Sequence, residues 1–254
     1  MFSALTFNMQ NGQIWDDADP DNAPIDLNAT AAFLEAQDAD IIFLQEVEQG
    51  FEGGHQIQPP PNFEFLRSRL PQYDAVFAYP VPNPVELPFG LALAIFSKTP
   101  LKGFYRFDLP PGEVTFEFGG IERKPSHRLL IGVETEIERR TLNLLNTHLQ
   151  AFFMINASSD RFCTQRNLVE EKLRHERGAT LLAGDFNCAP GESLINQFAE
   201  AGYSPSQTQE VTWRRKPFVV DHIFFNKHLR LERCDVVQNS ISDHHAVRSE
   251  LSFV

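Results

Sequence analysis

The sequence is short of cysteine, of basic charge and of long apolar runs, and each shortage removes a class of protein. Its 3 cysteines, Cys163, Cys188 and Cys234, are odd in number and include no C-x-x-C pair. That argues against a disulfide framework and against a structural zinc site. No stretch approaches the roughly 18 apolar residues of a membrane span, so no transmembrane segment is expected. The opening Met1-Phe2-Ser3-Ala4-Leu5-Thr6-Phe7 has neither a charged leader nor a long apolar core. It does not read as a signal peptide, and a cytoplasmic location is the expectation. Neither an internal repeat nor a low-complexity linker divides the chain, so one domain over residues 1–254 is expected. Lys and Arg number 22 against 34 Asp and Glu, a formal charge of −12. A protein that lives by gripping nucleic-acid backbone normally carries a basic face, so this balance counts against a general DNA binder.

What is present is apolar strand material. Hydrophobic residues make up 42% of 254 residues, enough for a substantial core, and phenylalanine (23) far outnumbers Tyr (4) and Trp (2). Residues 3–8 alternate as a strand ending at Asn8, and residues 11–26 are loop-like. A helix is predicted over 26–37, with Asp26 as N-cap and Ala32, Phe33 and Ala36 on one face. Ala39 to Leu44 is an apolar strand running into Gln45-Glu46. Residues 50–62 and 80–89 read as Gly- and Pro-rich loops. Between them lie a short helix near 63–70 and a strand near 73–79. A strand follows from Gly90 to Ser97. The stretch 101–120 reads as a strand pair interrupted by Pro110-Pro111-Gly112. Residues 127–137 and 140–148 form a hairpin whose second arm ends at His148. A helix is predicted over 159–176, a strand over 179–184, and a helix from Pro190 to about 201. The remainder reads as strands near 211–215, 219–225, 229–237 and 244–252. Long strand-only stretches with a few inserted helices point to an α+β sandwich.

Polar residues fall repeatedly where an apolar strand stops. Asn8, Glu46, His148, and the pair Asp185 and Asn187 follow strands, whereas Asp221 and Asp243-His244 open them. Strand ends are where a rigid scaffold meets solvent, and antiparallel neighbours would bring starts beside ends. Taken singly, each residue has an ordinary reading. Asn8 is a strand-end cap, Glu46 a solvated charge, and His148 a satisfied core histidine. Asp185 to Asn187 is an Asx turn, and Asp243-His244 a turn with a surface ion pair. His222 and His245 should point to the opposite strand face. His55, His127, His175 and His228 are expected on surfaces or loops. Arg161 and Gln165 are expected to be structural. Arg123, Lys124 and Arg128 are expected to be solvated loop residues, with contact to a phosphate as the alternative. Arg214-Arg215-Lys216 is the one basic cluster; rimming a site near Asp221 is the minority reading of it.

The segments Thr6-Phe7-Asn8-Met9, Leu44-Gln45-Glu46, Thr147-His148-Leu149-Gln150, Gly184-Asp185-Phe186-Asn187, Asp221-His222-Ile223 and Ser242-Asp243-His244-His245-Ala246-Val247 together resemble the endonuclease/exonuclease/phosphatase superfamily. That group includes the DNase I-like nucleases, exonuclease III-like AP endonucleases, neutral sphingomyelinases and inositol polyphosphate 5-phosphatases. Each segment alone is weak, but all occur in the family's order across nearly the whole chain. The resemblance implies a four-layer α/β/β/α sandwich with two packed, mostly antiparallel sheets. It implies Mg²⁺, or alternatively Mn²⁺, held on the side of Asn8, Glu46 and Asp243. It implies His244 as general base oriented by Asp221, and Asp185 positioning or deprotonating the attacking water. Asn187 and His148 would hydrogen-bond the phosphate oxygens.

Such a resemblance implies the reaction, not the substrate. A nuclease is opposed by the −12 charge. A 5-phosphatase would carry a longer arginine-bearing signature than Val219-Val220-Asp221-His222-Ile223. A secreted sphingomyelinase would carry a leader. The expectation is therefore a monomeric, metal-dependent phosphodiesterase or phosphatase acting on a small or lipid-derived phosphoester, with a nuclease as the alternative. An inactive relative serving as a binding module should lack Glu46, Asp185 or His244, and all are present.

Overall fold

A computed structural model of the protein describes residues 1–49, 55–82 and 91–254. The strands assemble into two six-stranded sheets. The first has the order β13 (Leu229–Val237), β14 (Ala246–Phe253), β1 (Phe2–Asn8), β2 (Ile41–Gln45), β4 (Leu93–Ser97), β3 (Asp74–Ala78). The second runs β11 (Tyr203–Pro205), β12 (Asp221–Asn226), β10 (Ala179–Asp185), β9 (Arg140–His148), β8 (Arg128–Ile137), β5 (Lys102–Leu109). One pair in each sheet is parallel, β1 with β2 and β9 with β10; the other pairings are antiparallel.

Strands this apolar are covered on both faces, and the two-residue period sorts their side chains. Phe2, Ala4, Ile41, Phe43, Leu144, Leu181, Ala183 and Ile223 pack between the sheets. Leu5, Phe7, Ile42 and Leu44 face outward onto helices α1 (Leu27–Gln37) and α2 (Pro61–Arg69). Leu145, Leu182 and Phe224 face the other way, onto α3 (Thr164–His175) and α4 (Leu194–Glu200). The layer order is α/β/β/α.

Several expectations shift. The packed face of α1 is Thr30, Ala31 and Leu34 with half-buried Phe33 against Phe7, while Ala32 and Ala36 are exposed; Asp26 does cap it, accepting from the Ala29 N–H at 3.0 Å. The predicted helix over 159–176 begins at Thr164. Before it, Ser158 and Ser159 are bonded to Glu192, which holds that stretch as a turn. The helix placed from Pro190 starts at Leu194. The strand pair expected over 101–120 is not a pair. β5 joins β8, while β6 (Phe116–Phe118) and β7 (Ile121–Arg123) form their own hairpin. Residues 211–215 make bridges through Trp213 to Phe218 and His244 rather than a strand. The loops assigned to 50–62 and 80–89, and Gly90, lie partly or wholly outside the described residues. Among the described residues, no helix is long and apolar enough to cross a membrane.

Candidate active site

Because odd-numbered residues of β9, β10 and β12 alternate with even ones between the two faces, Asn146 and His148, Asp185 and Asp221 continue the inward-facing rows of Leu144, Ala183 and Ile223. Register then aligns them: Asp185 sits opposite His148 on one side and Asp221 on the other. In the facing sheet Asn8 pairs with Gln45, and β14 begins just beyond Asp243-His244. The inter-sheet space therefore ends in stacked polar layers. In the lower one, Gln45 Nε2 donates to Asn146 Oδ1 at 2.8 Å. The Asn146 amide in turn donates to the carbonyls of Leu44 and Ala94 at 2.9 Å, tying one sheet to the other. The candidate catalytic layer lies above it.

Backbone geometry aims the side chains. Gly184 has φ +151, and a Cβ there would sit 1.9 Å from the Thr147 carbonyl, so only glycine lets β10 run this close to β9 just before Asp185. Glu46 and Asn187 both take left-handed backbone, φ 50 and 45. That conformation is unusual for glutamate, and it turns the chain off the strand ends at the site.

The distances form one network. The Asn8 amide donates through Nδ2 to Glu46 Oε1 and to Asp185 Oδ2, both at 3.1 Å, while its oxygen accepts from the Gln10 N–H. Asn8 thus offers nitrogen, not oxygen, to the carboxylates. His148 Nε2 lies 3.4 Å from Asp185 Oδ2 and 4.0 Å from Glu46. His244 donates from Nδ1 to Asp221 Oδ2 at 2.8 Å, and its Nε2 is 3.8 Å from both Asp185 and Asp243. The Asn187 N–H caps Asp185 Oδ1 at 2.9 Å, and its amide holds the Leu149 carbonyl at 3.0 Å.

Charge follows from this packing. Burial, and then Asp243, push the Glu46 carboxyl up to about 7. Burial, and then Asp221, raise Asp185, also to about 7. Burial alone would lower His244, but Asp221 above all, with Asp243 and Asp185, outweighs it and pushes the imidazole up to about 10. Burial holds His148 well below the usual histidine value, so it is neutral.

A carboxylate driven toward neutrality by burial and by a second carboxylate occupies a place where a cation would relieve both. The all-oxygen donors Glu46 and Asp243 suit a hard divalent ion. Asp185, Asp221 and His244 also bring ligand atoms within 4.8 Å of one another. In that set, however, His244 Nδ1 and Asp221 are already bonded to each other, and Asp243 Oδ2 is bonded to Arg215, so Glu46 is the carboxylate with most to gain from a cation.

All eight residues singled out in the sequence thus meet at one place. It opens into a cleft of about 600 Å³. Sequence reasoning missed part of the wall. Arg128, expected to be a solvated loop residue, is only 4% exposed and lines the cleft at the start of β8. Gln10 contributes a side chain that accepts from the Asp243 N–H at 3.2 Å. Trp213 donates to Asp243 at 3.3 Å. Arg215, from the basic cluster, does rim the site: it bonds Asp243 at 2.7 Å and Asp21 at 2.6 Å. His222 and His245 do point away from the site. His222 packs on Phe186 and Phe224, and His245 Nδ1 accepts from the Asn239 N–H. Gln165 is structural, accepting from the Gln150 N–H at 3.0 Å.

A sequence model of the Endonuclease/Exonuclease/phosphatase family matches residues 5–244. The chain belongs to this family. Its members are generally hydrolases acting on phosphoesters and typically use a divalent metal. A comparison with curated proteins found no match. Solved structures show the same DNase I-like fold. An endonuclease/exonuclease/phosphatase from Beutenbergia cavernae is 20% identical, with a TM-score of 0.72 over 99% of this chain and 71% of that one. A mannosyl-6-phosphatase from Bacteroides thetaiotaomicron is 17% identical, with a TM-score of 0.68 over 100% of both chains. The human nocturnin catalytic domain with bound sulfate is 20% identical, with a TM-score of 0.66 over 100% of this chain and 94% of that one. At these identities the likeness is one of fold.

Proposed function

We propose that this family member hydrolyses a small phosphoester with a divalent cation, Mg²⁺ or Mn²⁺. The observation that supports it best is the convergence of Glu46, Asp185 and Asp243 with His148, His244 and Arg128 on one cleft at the joint end of both sheets. Glu46 and Asp243 would hold the cation, and Asn8 fixes the spacing between Glu46 and Asp185. When bound, the cation polarises a phosphoryl oxygen and stabilises the leaving oxyanion.

The protein's own groups divide the remaining work. Asp185, raised to about 7, is suited to take a proton from the attacking water near neutral pH. The resemblance assigns the base role to His244. Because Asp221 holds its charge up, we read His244 instead as an imidazolium that would donate Nε2–H to a phosphoryl oxygen. His148 and Asn187 complete the donors, and Arg128 adds fixed positive charge to the cleft. A nuclease is the second reading. Arg128 and Arg215 favour it, while Asp21 and Glu117 on the same walls disfavour an extended polyanion.

The test is a panel of plasmid DNA, abasic duplex, sphingomyelin, inositol phosphates and nitrophenyl mono- and diesters, each with Mg²⁺, Mn²⁺ or EDTA. We expect metal-dependent cleavage of at least one small ester, abolished by EDTA and restored by excess Mg²⁺. Full activity in chelator overturns the metal assignment, and inactivity across the panel overturns the reading.

A further inference from the structure

Resting on that phosphoester reading, we infer that the group esterified to the phosphate is apolar, an alkyl or aryl alcohol, and that Phe116, Phe118, Met154 and Ile155 select it. Phe118 and Met154 are 54% and 58% exposed, although they are large and apolar, and both line the cleft. A cluster of partly exposed apolar side chains on a concave wall marks a ligand surface.

The wall has two sides, each built to present these groups. On one, Phe116 and Phe118 lie two residues apart on β6 and so share a face of the hairpin. On the other, a 3-10 turn at Phe152–Ile155 follows β9 by a few residues. Phe152 is buried and stacks on Phe162, with ring centres 5.4 Å apart. That anchor leaves Met154 and Ile155 to project. Phe153 packs on Trp213 at 5.5 Å, and Trp213 bonds Asp243. The apolar wall is thereby tied to the candidate catalytic layer through Phe153 and Trp213.

Charge on the rim points the same way. Asp21 and Glu117 line the cleft, and Arg215 is engaged by Asp21 and Asp243. A substrate with a second phosphate would meet acid there, whereas an alkyl or aryl group would cover apolar surface.

The experiment measures kcat/KM with Mg²⁺ for p-nitrophenyl alkyl phosphodiesters from methyl to hexyl, a sugar phosphate and a dinucleotide. Wild type is compared with the Phe118→Ala/Met154→Ala double variant; both side chains are exposed, so the fold should survive. In wild type kcat/KM should rise roughly threefold per methylene, mostly through KM, and in the double variant the hexyl-to-methyl ratio should fall at least tenfold. A parallel arm presents a long-chain ester in phospholipid vesicles. Cleavage of the dissolved esters supports a soluble apolar substrate. Cleavage confined to vesicles supports the same chemistry drawn from a lipid. A flat chain-length series, an unchanged ratio in the variant, or preference for the sugar phosphate or dinucleotide overturns the inference while leaving phosphoester hydrolysis standing. Inactivity on every ester overturns both.

Discussion

At Asp185 three strands deliver polar groups to one point, and the result can be probed side chain by side chain. Asp185 accepts from Asn8 and the Asn187 N–H, while His148 and His244 approach within 3.4 and 3.8 Å. Removing His244 should cost what a positioned proton donor contributes, about 10²–10⁴ in kcat, and should lower the melting temperature without abolishing the fold, because the buried Asp221 carboxylate loses its partner. Steady-state kinetics and a melting curve on His244→Ala check this; a rate near wild type would remove His244 from the mechanism. These residues were legible in the sequence because each ends or opens an apolar strand, and period-two alternation carries that position into the site. Arg128 and Trp213 were not legible. Nothing local distinguishes an arginine that starts a buried strand from a solvated one, and Trp213 reaches the site through isolated bridges rather than a strand.

Among the elements, most strands were readable and the turns that finish the site were not. A turn is defined by partners far away in sequence, as Glu192 shows. Its carboxylate accepts from Ser158 Oγ at 2.6 Å, Ser159 N–H at 2.8 Å, Ser159 Oγ at 2.7 Å and Ala189 N–H at 3.0 Å. One side chain thus pins the segment after the Phe152–Ile155 turn to the segment after Asn187. The sequence predicts helix from residue 159, but these hydrogen bonds override it before Thr164. Glu192→Ala should lower stability by about 1–3 kcal/mol, because partly buried donors lose their acceptor. It should also speed amide exchange over residues 158–163 more than in β10. Hydrogen exchange with a denaturant titration tests both, and uniform exchange would show that Glu192 does not organise this loop.

For the molecule as a whole, the sandwich concentrates acid where its two sheets meet, and that concentration links folding to protons and metal. Glu46 and Asp185 are raised from ordinary carboxyl values to about 7, and His244 to about 10. All three therefore hold more protons folded than unfolded. Their contribution to stability is fully present below the unfolded pKa values and is lost as pH rises through the folded ones. His148, lowered well below 6.5, has the opposite sign, but its contribution is complete once pH exceeds its unfolded value near 6.5. Above pH 6.5 only the destabilising trend of the raised groups remains. In EDTA the melting temperature should consequently fall from pH 6.5 to pH 9, more steeply in wild type than in Glu46→Gln, which has no carboxylate there to deprotonate. A cation bound at Glu46 and Asp243 competes with those protons, so added Mg²⁺ should raise the melting temperature more at pH 8.5 than at pH 6. Thermal melts across that matrix decide it. A Mg²⁺ effect independent of pH, or one undiminished in Glu46→Gln, would place the cation away from Glu46.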